Sequence, residues 1–120
     1  MLTEAGQFTF LGTGWSVGLA AEAALKLREA ASFWTESYPA MEYRHGPIAV
    51  TGPGSVVWLF SPAPAGLVDE IGAAGGLAWQ GERDPMAELV RVHMLAASLA
   101  RARGLDPDQP RNLTRSVILA

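Results

Sequence analysis

Not one of the 120 residues is a cysteine. That absence excludes disulfides, thiolate nucleophiles and cysteine-ligated metals, and it leaves the redox character of the compartment open. Histidine is nearly as scarce, with only His45 and His93, and neither sits in a paired-ligand motif, so no metal site and no cofactor is expected. Basic residues are also few: nine Lys and Arg against twelve Asp and Glu give a formal net charge of -3, with no basic block. A nucleic acid or an acidic membrane surface finds no electrostatic footprint here, and neither partner is expected. Long apolar runs are missing too. The alanine-rich stretch after Trp15 is broken by Glu22, Lys26, Arg28 and Glu29, so nothing reaches the roughly 18 apolar residues of a membrane span. The opening MLTEAGQFTF has neither a basic flank nor a long apolar segment, so no signal peptide is read there and a cytoplasmic location is expected.

What the chain does contain is core-forming material. Hydrophobic residues make up 49% of it and charged residues 18%, and a chain of this length buries roughly two-thirds of the surface its unfolded form exposes. Residues 1–120 are therefore expected to form one domain. The Gly- and Pro-rich segments 52–54 and 62–66 are short enough to be loops within it.

The order of elements points to an α/β protein. QFTFLGTG reads as a strand, Phe8 to Leu11, entering a glycine turn, and WSVGLAAEAALKLREAASF has the composition and length of a helix. SVVWLFSP is a continuous apolar run between Gly54 and Pro62, the pattern of a strand covered on both faces. A helix is expected near Ala65 to Ala74, a further strand at GLAWQG, and a last helix from Pro85 that stops at Gly104. LDPDQPRNLTRSV reads as a turn leading to a short C-terminal helical turn. Strands alternating with helices imply a three-layer sandwich, a mostly parallel sheet with helices on both faces and flavodoxin-like topology.

Several side chains are candidates for chemistry. Glu22, Lys26 and Glu29 fall at i, i+4 and i+7 and so share one helical stripe. Spacing alone is equally met by a solvated face whose Glu-to-Lys pair is worth roughly a few tenths of a kcal/mol. In GTGWS, the hydroxyls of Thr13 and Ser16 and the backbone N–H groups could meet an anion at the helix N-terminus, or the segment could be a plain tight turn. His45 is of a residue type suited to acid or base work, yet a histidine before Gly46-Pro47 also serves structure. His93, within an apolar helix, is expected in the core or at its boundary. The serines form no recognisable triad arrangement.

Taken together, EAALKLREAASFWTESYPAMEYRHGP and DPDQPRNLTRSV resemble the sugar isomerase (SIS) family, specifically the second SIS half of the isomerase region of glucosamine-6-phosphate synthase. The family pattern is roughly E-G-A-L-K-L-K-E, then Glu-x-x-His-Gly-Pro, then D-Q-P-R-N-L. Two motifs in order at opposite ends of the chain are far more specific than either alone. The resemblance implies interconversion of ketose and aldose or amino-sugar phosphates through an enediol-like intermediate, on a substrate of the fructose 6-phosphate or glucosamine 6-phosphate class. It implies Glu29 as proton shuttle, His45 as ring opener, Lys26 beside the sugar, Glu22 as supporting carboxylate and Arg111 as a site residue or an anchor for the C-terminal tail. It also implies a homodimer in which His45 is donated across the interface, or assembly with a phosphate-binding SIS half.

The chain departs from the family pattern in two places. Arg115 stands where the family has a lysine in N-L-A-K-S-V, and an arginine keeps the charge but does not transfer a proton or form an imine. The Ser/Thr-rich phosphate loop of the family is missing, and the stretch between LAWQG and Pro85 is shorter than in a usual half. A compacted or truncated SIS domain is expected, with no glutamine-hydrolysing function because cysteine is absent. The alternative is a non-catalytic phosphosugar-binding or regulatory module, and a third possibility is a structural partner that completes another subunit.

Overall fold

The structure, a computed structural model, describes residues 2–82, 84–114, 118 and 119. Four strands, β1 (Gln7–Gly12), β2 (Thr35–Pro39), β3 (Ser55–Leu59) and β4 (Leu77–Gln80), form one parallel sheet in the order β2-β1-β3-β4. Phe8 lies opposite Thr35 on one side and Val56 on the other, and Leu11 lies opposite Tyr38 and Leu59. The main connecting helices are α1 (Ser16–Ala31), α2 (Ala40–Tyr43), α3 (Leu67–Ala73) and α4 (Pro85–Ala102).

Side chains alternate across a strand, so β1 and β3 feed two cores. Phe8, Phe10, Val56 and Trp58 face α1 and α4 and meet Ala20, Ala23, Ala24, Leu27, Val92, Ala96 and Leu99. Leu11, Val57 and Leu59 face the other way, onto Ala40 and Tyr43 of α2 and Leu67 and Ile71 of α3. This is the expected three-layer α/β sandwich, and its strand order opens like that of a flavodoxin-type sheet. All five residues of β3 are buried, which is why Val56 to Leu59 are continuously apolar rather than alternating.

Local signals end the helices where expected. Ser32 closes α1 in the left-handed region at φ 49, and the Phe33 N–H reaches back to the Leu27 carbonyl at 3.2 Å, a Schellman-type end. Asp84 caps α4 by accepting from the Met86 N–H at 2.9 Å, with Pro85 in the first turn.

Two sequence expectations need correction. No strand was expected between 33 and 55, yet TESYP forms β2; it has no apolar alternation because it is a half-buried edge strand, held by its pairing with β1. His93 is exposed rather than in the core, because α4 buries the stripe containing Glu88, Leu89, Val92, Ala96, Leu99 and Ala100. The helix is apolar on several faces, so composition concealed which one turns inward. After Gly104 the described residues through 114 form turns, as expected, with the Gln109 N–H on the Asp106 carbonyl at 3.1 Å, and the helical turn expected at the end of NLTRSV falls on residues 115–117, outside the described residues.

Phe10 is fully buried among Phe8, Trp58 and Phe60, with ring centroids 6.0 to 6.3 Å apart. Phe10→Ala is expected to destabilise the fold by about 3–5 kcal/mol, read as a lower denaturation midpoint in urea.

Candidate functional site

Where β1 ends, the chain must turn sharply into α1. A Cβ on Gly12 would lie 2.4 Å from the Ser16 carbonyl oxygen, so only glycine allows this approach. The Ser16 hydroxyl donates to the Thr13 carbonyl at 2.8 Å and accepts from the Thr13 N–H at 2.9 Å. Ser16 is buried and its hydroxyl is engaged inside the turn, while Thr13 is exposed.

The acidic and basic stripe of α1 forms as its spacing requires. Lys26 Nζ sits 3.3 Å from Glu22 Oε1 and 3.0 Å from Glu29 Oε2. All three side chains are about one-third exposed. The hydrogen-bonded Glu29 carboxylate, with Glu22 beside it, holds the Lys26 pKa above its ordinary value against the opposing effect of desolvation. Lys26 is therefore an ammonium at neutral pH, suited to stabilising negative charge and not to acting as a base or forming an imine.

Neighbouring contacts fix where this stripe lies. The Arg28 guanidinium donates to the Thr35 carbonyl and hydroxyl, both at 3.2 Å, and the Thr35 hydroxyl donates to the Ala24 carbonyl at 2.7 Å. The last turns of α1 are thus tied to the start of β2, and Glu29 lies toward the amino ends of the strands.

His45 lies elsewhere. It follows β2 and α2, is exposed, and its backbone N–H donates to the Glu42 carbonyl at 3.0 Å. Arg44 beside it pairs with Glu70 of α3 at 2.9 Å and donates to the Ala65 carbonyl at 2.9 Å. His45 therefore belongs to the α2/α3 side of the sheet and comes after the carboxyl end of its strand, whereas Glu29 is on α1, on the opposite side. With a rise of 1.5 Å per residue, Glu29 is about 20 Å along α1 from the carboxyl edge. The structure brings Glu22, Lys26 and Glu29 together and keeps His45 apart from them. Arg111 is exposed, and Arg115 lies outside the described residues.

One polar residue went unnoticed in the sequence. Glu88 is 1% exposed, at the inward-facing position one turn before Val92. The signal was a carboxylate at a position that the helical period assigns to the core.

No protein-family model matches the chain. The isomerizing glutamine–fructose-6-phosphate aminotransferase of Aeropyrum pernix is 35% identical over 146 residues, an alignment covering 98% of this chain and 24% of the relative. The corresponding enzyme of Neisseria meningitidis serogroup A is 33% identical over 137 residues, covering 90% and 22%. The solved glucosamine-6-phosphate deaminase of Thermotoga maritima superposes with a TM-score of 0.88 at 29% identity, across 98% of this chain and 42% of that one. The chain is a domain of the sugar isomerase (SIS) fold. The tagatose-6-phosphate ketose/aldose isomerase of Escherichia coli, with a TM-score of 0.67 and 17% identity over 92% of this chain and 39% of that one, shares the fold. This SIS domain spans about a quarter of the length of the curated relatives it matches. The Aeropyrum alignment is longer than the 120 residues present here, so that relative carries positions with no counterpart in this domain. Among the described residues, no helix is long and apolar enough to cross a membrane.

If Glu29 is what raises the Lys26 pKa, an NMR titration of the Lys26 side chain should give a midpoint above 10.5 that falls in Glu29→Gln. A midpoint that ignores the substitution would show that the pair does not form in solution.

Proposed function

We propose that this SIS domain contributes one half of a phosphosugar isomerase site, acting on sugar phosphates of the fructose 6-phosphate or glucosamine 6-phosphate class. Glu29 takes the proton from the carbon next to the carbonyl, and the electron pair passes onto the carbonyl oxygen as an enediolate. Returned to the adjacent carbon while a second proton passes from the neighbouring hydroxyl to the enediolate oxygen, the proton completes the exchange of aldose and ketose. Lys26, held as an ammonium by its two carboxylates, stabilises the enediolate oxygen, and Glu22 keeps that ammonium in place. Arg111 and Arg115 supply positive charge toward the phosphate. His45 opens the sugar ring, and it does so in the site of a neighbouring chain.

The observation that carries this reading is the separation of Glu29 from His45 by the sheet, together with the partly exposed carboxylate–ammonium–carboxylate stripe. A histidine on the far side of its own domain serves a sugar only when a second chain presents it. Trp15, Trp34, Val90 and Met94 are exposed apolar side chains, and such surface favours assembly with a copy or with a phosphate-binding SIS half. Names of the relatives support the substrate class: an isomerizing aminotransferase of fructose 6-phosphate, a deaminase of glucosamine 6-phosphate and a ketose/aldose isomerase of tagatose 6-phosphate.

A second reading, a phosphosugar-binding module without turnover, is favoured by Arg115, which cannot carry a proton where the family pattern has lysine. Proton exchange at C1 or C2 of fructose 6-phosphate and glucosamine 6-phosphate, followed by NMR in D2O, separates the two. Exchange is expected to fall by about 10²-fold or more in Glu29→Gln and in His45→Ala, the contribution typical of a positioned acid or base. Exchange unchanged by Glu29→Gln would contradict the isomerase roles. Saturable ligand shifts without any exchange would establish the binding module instead.

A further inference from the structure

At the carboxyl ends of β3 and β4 lies a cavity of about 190 Å³ whose lining includes Phe60, Ser61, Gln80, Gly81, Glu82 and Glu88. We propose that this cavity binds a small protonated amine, held by the free carboxylate oxygen of Glu88 and the hydroxyl of Ser61. Ligands of open α/β sheets bind outside the carboxyl ends of the strands, so the place itself is an ordinary one for a site.

The Glu88 carboxylate is buried and only half satisfied. Its Oε1 accepts from Arg91 Nη1 at 3.2 Å, while its Oε2 is buried with no hydrogen-bond partner among the described residues. Arg91 is a poor full counter-charge: its side chain is 40% exposed and its guanidinium also lies over the Trp79 ring, 5.4 Å from the centroid. The Ser61 hydroxyl oxygen is likewise buried without a partner among the described residues. Native folds satisfy buried polar atoms almost everywhere, and a buried charge without compensation is among the most destabilising features a core can hold. Both residues line one cavity, and a ligand entering it would reach the two oxygens once the Ser61 and Glu88 side chains turn toward it.

The backbone is shaped to keep the carboxylate there. A Cβ on Gly81 would fall 2.1 Å from Glu88 Cδ, so the carboxylate rests directly on the Gly81 backbone and any larger residue would displace it. Glycine at the end of β4 and glutamate in the first turn of α4 are therefore a matched pair.

The chemistry selects the ligand. Glu82 and Glu88 both line the cavity, so a phosphate or carboxylate group is repelled. A neutral hydroxyl could fill the hydrogen bonds but would add no positive charge to the partly exposed Arg91, the one counter-ion Glu88 has among the described residues. An ammonium supplies both the charge and several N–H donors, enough for Oε2 and the Ser61 oxygen at once. The volume corresponds to about six waters at ~30 Å³ each, which admits ligands from methylammonium to a small amine carrying a few hydroxyls. This site uses neither Glu29 nor His45 and stands or falls separately from the isomerase reading.

The test is an amide NMR titration of the whole chain with methylammonium chloride, with sodium chloride at matched ionic strength as the control. Saturable shifts are expected at Ser61, Gly81 and Glu82, weakened tenfold or more in the isosteric Glu88→Gln, reduced in Ser61→Ala and retained in Glu29→Gln. Tetramethylammonium, which has no N–H donor, and neutral glycerol should leave those amides in place. The proposal is overturned by an absence of saturable shifts, by equal affinity in Glu88→Gln, or by an equal response to sodium or glycerol.

Discussion

Everything in this SIS domain follows from β1 pairing in parallel with strands on both of its sides. A parallel neighbour cannot be reached by a tight hairpin, so the chain must cross back over the sheet through a helix each time. The first crossover, α1, therefore starts at the carboxyl edge of β1 and ends at the amino edge of β2, and it carries Glu22, Lys26 and Glu29 along its outer side. The chain then re-emerges at the carboxyl edge of β2 and packs α2 onto the other face. That single pairing choice puts the carboxylate stripe and His45 on opposite layers.

The energetics of the layers and of the charged features run in different directions. The stabilising mass is apolar: aromatic and branched side chains of β1 and β3 between two helical layers, with alanines where α1 lies against the sheet and α4. Thr35 shows how the polar exceptions are handled, its hydroxyl satisfied by the Ala24 carbonyl and by Arg28. The Glu22–Lys26–Glu29 stripe, in contrast, is partly solvated and adds little to stability, since exposed ion pairs are worth about 0–1 kcal/mol. Glu88 opposes stability, because one of its oxygens is buried without a partner among the described residues. Groups that a fold does not need for its own stability are the natural places to look for chemistry.

Much of this was legible beforehand. β1, α1, β3, α3, β4 and α4 were readable because glycine turns, a proline in the first helical turn and apolar runs mark them locally. β2 was not, since Thr35-Glu36-Ser37-Tyr38-Pro39 has no strand pattern of its own and is made a strand by the neighbour it pairs with. His93 was misplaced because an apolar helix does not reveal its inward face from composition. The stripe on α1 followed from helical spacing, but spacing could not distinguish a solvated face from a site, and the roles given to Glu29 and His45 came from the resemblance to the SIS family. Glu88 shows in the sequence as a carboxylate at an inward position of the α4 period, but its packing against Gly81 is a contact that no local pattern encodes.

The most direct test of the separation at the centre of this structure is an intrachain distance. The absence of native cysteine lets positions 29 and 45 be labelled cleanly through substituted cysteines, and pulsed electron paramagnetic resonance on labelled chains diluted in unlabelled ones reads that distance alone. The topology predicts a separation on the order of 20 Å or more, from the length of α1 and the sheet between the two positions. Labels in contact range within one chain would mean that a single domain brings Glu29 and His45 to the same sugar, and the requirement for a second chain would fall.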